Sequence, residues 1–126
     1  MPEAAKEIVT AFWRTMNTND FGAVGRLLAD AYTLEWPQSG EIIPGRDNFA
    51  KVNQTYPANG PWRFTVYKLV AEGAEVVSDV GVTDGVVEAR AITFSTVERG
   101  LIVKQVEFWP DPYDPPEWRR AWVERA

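Results

Sequence analysis

The chain of 126 residues contains no histidine and no cysteine. Without cysteine there is no disulfide, no thiolate nucleophile and no cysteine-ligated zinc. Without histidine, Ser-His-Asp and Cys-His catalysis and histidine-ligated metal sites are closed as well. Any acid–base work falls to Asp, Glu, Lys, Tyr or bound water, and no metal or other cofactor is expected. A basic stripe is also missing: 13 Lys and Arg stand against 18 Asp and Glu, a net charge of −5. Nucleic acid is therefore not an expected partner, and an anionic membrane finds nothing to attract. No apolar run reaches membrane-spanning length, and MPEAAKEIVT has no secretory pattern, so a cytoplasmic location is expected. What the chain has in quantity is apolar side chains, 45%, and aromatics, 13%. That is ample for the core of one domain, the natural division at this length.

Apolar spacing divides the chain. Ala5, Ile8, Val9, Phe12, Trp13 and Met16 recur at helical spacing and predict a first helix over 3–16. NTND (17–20) breaks it, and Asn19 or Asp20 can cap a short second helix with Phe21, Val24, Leu27 and Leu28 on one face. AYTLEWP (31–37) alternates and reads as a strand; QSGEIIPG is a loop or a small strand pair; RDNFAKVNQTY fits a third helix. From Trp62 onward WRFTVYKLVAE, AEVVSDVGVT, VVEARAITFSTVE and LIVKQVEFW predict four strands, with Gly-containing turns at their junctions. The expected fold is α+β: a cone-shaped curved antiparallel or mixed sheet packed on three N-terminal helices, followed by a short C-terminal helix.

This order resembles the nuclear transport factor 2-like superfamily, in particular its SnoaL-like polyketide cyclase and ketosteroid isomerase branch. The residues that carry the resemblance are MNTNDFGAVGRLLADAYTLEWP, GRDNFAKV and ERGLIVKQVEFW. It covers nearly the whole chain to about residue 110, leaving 111–126 as an extension of a single 1–126 domain. It implies a cystatin-like α+β roll enclosing an apolar pocket, a hydrophobic small molecule as ligand, and a homodimer. It does not carry the isomerase's catalytic groups across. The Tyr position falls on Phe12, the base position on Trp36 and the acidic oxyanion position on Ile92.

Other polar groups must then do any chemistry. If Ile92 faces Gln105 across the last hairpin, Arg90 lies opposite Glu107, and alternation puts Arg90, Ile92, Phe94, Gln105, Glu107 and Trp109 on one face. The resemblance makes that the pocket face and turns Asp79 inward. Catalytic candidates are therefore Glu107 and, behind it, Asp79 as base, with Arg90 as electrostatic partner. Phe12, Tyr32, Trp36, Ile92, Phe94, Gln105 and Trp109 are ligand-binding candidates. Apolar counting alone gives a different face, with Val76, Val80 and Val82 inward, Asp79 outward, and Arg90 paired with Glu107 on the surface. Two functions stay open: a cofactor-free isomerase, cyclase, dehydratase or hydrolase, and a non-catalytic ligand-binding or dimerisation domain.

The end of the chain, PDPYDPPEWRRAWVERA, cannot enter a sheet interior because its prolines lack donors. EWRRAWVER predicts a short helix with Trp118 and Trp122 on one face. Such a helix is too short to be stable alone, so its indoles are expected to dock: on their own domain, over the pocket as a lid, or on a second subunit.

Overall fold

A computed structural model describes residues 2–126, and the side chains from residue 4 onward. Helix α1 spans Pro2–Met16 and α2 spans Phe21–Val24, capped by the Asp20 carboxylate, which accepts from the Ala23 amide at 3.1 Å. The chain then tightens into a 3₁₀ turn, Gly25–Leu27, and Leu28 already begins a strand, so the second helix is shorter than its apolar spacing suggests. Strands β1 (Leu28–Trp36) and β2 (Glu41–Pro44) precede α3 (Gly45–Thr55). Strands β3 (Arg63–Glu72), β4 (Glu75–Thr83), β5 (Glu88–Glu98) and β6 (Leu101–Phe108) form the meander. The six strands make one mixed sheet in the order β2-β1-β6-β5-β4-β3, with only β1 and β6 parallel. Register shifts in the β1–β6, β3–β4 and β5–β6 pairs bend it. Helix α1 crosses β3 to β6 and α3 covers β1 and β2. The core between them is built on Val9, Phe12, Trp13, Leu28, Phe49 and Ile102.

The β5–β6 pairing corrects the expected register. Arg99 and Gly100, both with positive φ (53° and 77°), form a two-residue turn between Glu98 and Leu101. A bulge follows between Thr96 and Val97, so Ile92 faces Phe108 rather than Gln105, three residues further along. An odd shift reverses every side chain on the strand. Ala91, Thr93, Ser95 and Val97 therefore face the core, and Arg90, Ile92 and Phe94 lie on the outer face. On β4 the apolar count holds: Val76, Ser78, Val80 and Val82 are buried and Asp79 points outward. The row Ile42, Glu35, Val106, Phe94, Val77, Val70 runs across all six strands of that outer face.

The NTND segment does more than break a helix. The Asn17 amide accepts from the Phe64 N–H at 2.7 Å and donates to the Phe64 carbonyl at 2.8 Å. Asn19, at φ 61°, does the same to Trp62 at 2.8 and 2.7 Å. Two side-chain amides thus stand in for a strand partner along the start of edge strand β3. Further along the same wall, Asp84 accepts from the Asn59, Val86 and Val87 amides and from the Asn59 side chain, and those bonds hold its carboxyl below the usual carboxylate range.

The C-terminal segment departs from expectation. Glu117–Trp122 is a 3₁₀ helix preceded by Pro116, and none of its residues is buried. Trp118 and Trp122 are 73% and 79% exposed, so they do not dock on their own domain.

Asn17→Ala removes the partners of both the Phe64 N–H and the Phe64 carbonyl and is expected to cost about 1–3 kcal/mol in urea unfolding. An unchanged midpoint and slope would show that the amide pairing contributes nothing.

Candidate active site

Between α1, α3 and the concave side of the sheet lies a cavity of about 130 Å³. Helix α1 contributes Phe12, Trp13 and Met16, because three to four residues separate neighbours on one helix face. Helix α3 adds Phe49 and Asn53, and the clamped segment at β3 adds Trp62 and Phe64. The sheet supplies the polar floor, Gln105 and Glu107, with Trp36 and Trp109 beside them.

Glu107 is 7% exposed. The Trp36 Nε1–H donates to its Oε1 at 3.0 Å and the Thr93 hydroxyl donates to its Oε2 at 2.6 Å. Thr93 is its direct partner across β5–β6, so the register that turns Arg90 away brings this hydroxyl in. Burial pushes the Glu107 carboxyl above its ordinary range, while the hydrogen bonds from Thr93 and Trp36, with a smaller pull from Trp109, act against it. A parallel chain lies alongside: the Tyr32 hydroxyl donates to Gln105 Oε1 at 2.6 Å, and Gln105 Nε2 donates to Ser95 Oγ at 3.1 Å. Burial first, and then the charge of Glu107, raise the Tyr32 phenol well above its usual value, so it stays protonated. Trp36 and Trp109 are further tied through the rim, where the Gln38 side chain bonds the Trp109 backbone at both its N–H and its carbonyl (2.5 and 3.2 Å).

Of the ten candidate residues read from the sequence, Phe12, Trp36, Gln105, Glu107 and Trp109 line the cavity. Tyr32 is buried behind Gln105. Arg90, Asp79, Ile92 and Phe94 do not reach it, because the shifted register and the β4 alternation place them on the outer face. There Arg90 pairs with Asp79 at 2.5 and 2.8 Å instead of with Glu107, and its guanidinium lies 4.7 Å from the centre of the Tyr67 ring, which itself covers Gly81. The bonds from Arg90 hold Asp79 below its ordinary range. Sequence reading missed Thr93, the donor to Glu107, which correct strand parity would have found. It also missed Trp62 and Phe64, which face the cavity because Asn17 and Asn19 hold their backbone. Among the described residues, no group of three or more His, Cys, Asp and Glu is placed to hold a metal. Among them, too, no helix is long and apolar enough to cross a membrane.

Residues 9–105 match the SnoaL-like domain family. No curated protein sequence matches the chain. Among solved structures, a Kribbella flavida protein classed with the ketosteroid isomerases is 33% identical, with a TM-score of 0.91 over 99% of this chain and 91% of its own. A nuclear transport factor 2-like protein of unknown function from Burkholderia xenovorans is 26% identical, with a TM-score of 0.81 over 98% and 96%. A Jannaschia protein classed as a SnoaL-like polyketide cyclase shares the fold at 16% identity and a TM-score of 0.73, over 86% and 87%.

A carboxyl raised by burial binds its proton more readily in the folded state than in the unfolded one. Glu107 therefore contributes stability that is present below the unfolded value, about 4.3, and lost as pH rises through its folded value. The stability difference between wild type and Glu107→Gln, measured by urea unfolding across pH, is expected to fall over that window and level off above it. A difference independent of pH would show that burial does not displace this group.

Proposed function

The chain belongs to the SnoaL-like domain family, and from that premise we propose that it is a cofactor-free acid–base enzyme acting on a hydrophobic small molecule held in the cavity. The observation that carries this reading is that Glu107 is the one carboxyl group among the cavity-lining residues, which include no Lys or Arg. In its ionised form Glu107 takes a proton from the substrate, or in a hydrolysis from the attacking water, and the protonated form gives it to a second substrate position or to the leaving group. Its donors, the Trp36 indole and the Thr93 hydroxyl, hold the carboxyl in place and limit how far burial raises its basicity. Gln105, fixed by Tyr32 and Ser95, has a second amide hydrogen with which to meet developing negative charge. The reaction class is an isomerisation, cyclisation, dehydration or hydrolysis. Arg90 and Asp79 have no part in it, because their ion pair lies across the sheet.

The cavity size limits the substrate. About 130 Å³ is close to the ~150 Å³ that accommodates benzene, so a single ring or a compact group fits inside, and a larger molecule extends into the open mouth beside Trp36, Tyr56 and Trp109. Trp36, at the position where the resembling isomerases keep their base, narrows the space. That same observation favours the second reading, a ligand-binding module without turnover.

A screen of small enolisable ketones and phenols separates the two. On any neutral substrate found, Glu107→Gln is expected to reduce kcat by about 10²–10⁴-fold while ligand affinity is kept. Undiminished turnover in the variant removes Glu107 from the chemistry.

We extend the proposal to a homodimer formed through the sheet's outer face. Its support is the apolar members of the row from Ile42 to Val70, with Ile42 63%, Phe94 44%, Val77 37% and Val70 57% exposed, which a second copy would cover. Phe94→Glu is expected to convert a dimer into a monomer by sedimentation velocity. A wild type that sediments as a monomer contradicts it.

A further inference from the structure

We propose that the cavity and its mouth form a site for a small cationic head group, a tertiary or quaternary ammonium. This rests on the reading of the cavity as the ligand site and adds the sign of the ligand's charge.

Three independent features point the same way. First, eight aromatic side chains are among the sixteen residues lining the cavity. Aromatic faces carry negative electrostatic potential, and a cation within about 6 Å of a ring centre gains about 0.5–2 kcal/mol from it. Second, the lining residues include one carboxyl and no basic side chain, so no protein cation neutralises Glu107 from within the cavity. Trp36 donates to one of its oxygens and Thr93 to the other, with a weaker contribution from the Trp109 side chain. A carboxylate has about four acceptor positions, so Glu107, which lines the cavity, retains acceptor capacity. Third, the mouth is acidic. Trp36, Tyr56 and Trp109 are shared with an open vestibule of about 480 Å³, whose other lining residues include Glu41 and Asp111 but no Lys or Arg.

The alternatives fit less well. An anionic ligand meets Glu107 with no counter-charge and passes two further carboxylates to reach it. A neutral ligand is compatible with the site but leaves the ionised Glu107 with hydrogen bonds and no counter-charge, so it gains less than a cation does. A cation supplies that counter-charge and reverses the displacement that burial imposes on Glu107. A primary ammonium needs an acceptor for each of three hydrogens, whereas alkylated nitrogen presents methyl groups that suit aromatic walls. The size agrees: a trimethylammonium group is compact enough for the inner cavity, while the remainder of its molecule lies in the vestibule.

The test uses the whole chain and three probes of nearly one shape: choline, its neutral isostere 3,3-dimethylbutan-1-ol, and the anion 3,3-dimethylbutyrate. Binding is read by calorimetry and by the fluorescence of Trp36, Trp62 and Trp109. Choline is expected to bind about tenfold or more tighter than the alcohol, and the butyrate more weakly than either. Glu107→Gln is expected to abolish the preference for choline while leaving the affinity of the alcohol in place. Should that variant not fold, Glu41→Gln combined with Asp111→Asn changes only exposed groups. It is expected to weaken choline alone, roughly two- to fivefold at low salt. Equal binding of choline and the alcohol overturns the charge assignment and leaves the cavity as a ligand site. Absence of binding by all three overturns the head-group site, while the ketone and phenol screen tests the proposed function separately.

Discussion

Thr93 and Glu107 stand opposite each other on β5 and β6, and that one register decides which side chains reach the cavity. It places a hydroxyl at 2.6 Å from the carboxylate where another register would place a guanidinium. It turns Gln105 toward Tyr32 and Ser95. It sends Arg90 to the opposite face, where Asp79 neutralises it. The tight turn at Arg99–Gly100 and the bulge at Thr96–Val97 together fix this pairing. The electrostatic character of the interior, a carboxyl without a cation, therefore follows from the geometry of a turn about 20 Å away along the strand.

The fold was legible in the sequence because its signals are long and periodic. The α1 stripe, the Gly-punctuated strands and their order were enough to imply a helix-backed curved sheet. The second helix was overestimated: Leu27 and Leu28 keep helical spacing with Val24, but Leu28 opens β1 against Ile102. The site was legible only in part. Trp36 follows from the alternation of β1, and Gln105, Glu107 and Trp109 follow from the resemblance, since apolar counting on β6 does not choose between faces. The β5 residues do not, because the extra residue, Val103 on β6, is invisible to pattern counting and reverses the parity between the two strands. Hydrophobicity gave no warning on β5: its larger apolar residues, Ile92 and Phe94, face outward, while Thr93 and Ser95 are fully buried. Those two hydroxyls are inside because Glu107 and Gln105 require partners there.

Around this floor the walls are secured from a distance. Asn17 and Asn19 bind the backbone of Trp62 and Phe64, and Asp84 binds the segment that leads into Trp62 on one side and the turn that carries Val87 on the other. None of these three polar residues is among those lining the cavity, yet each fixes one that is. The division of labour is physical. Cavity walls must be apolar or aromatic to exclude water, so hydrogen-bonding groups that position them have to act through the backbone from behind.

The site stands on Glu107 being a buried, ionisable carboxyl held by the Trp36 and Thr93 donors. Its most direct test is a ¹³C NMR titration of the Glu107 side chain in wild type and in Thr93→Val. The structure predicts a midpoint above the ordinary glutamate range in wild type, and a further rise when the Thr93 donor is removed. A midpoint at the ordinary value, unchanged by the substitution, would place Glu107 in solvent and contradict the site described above.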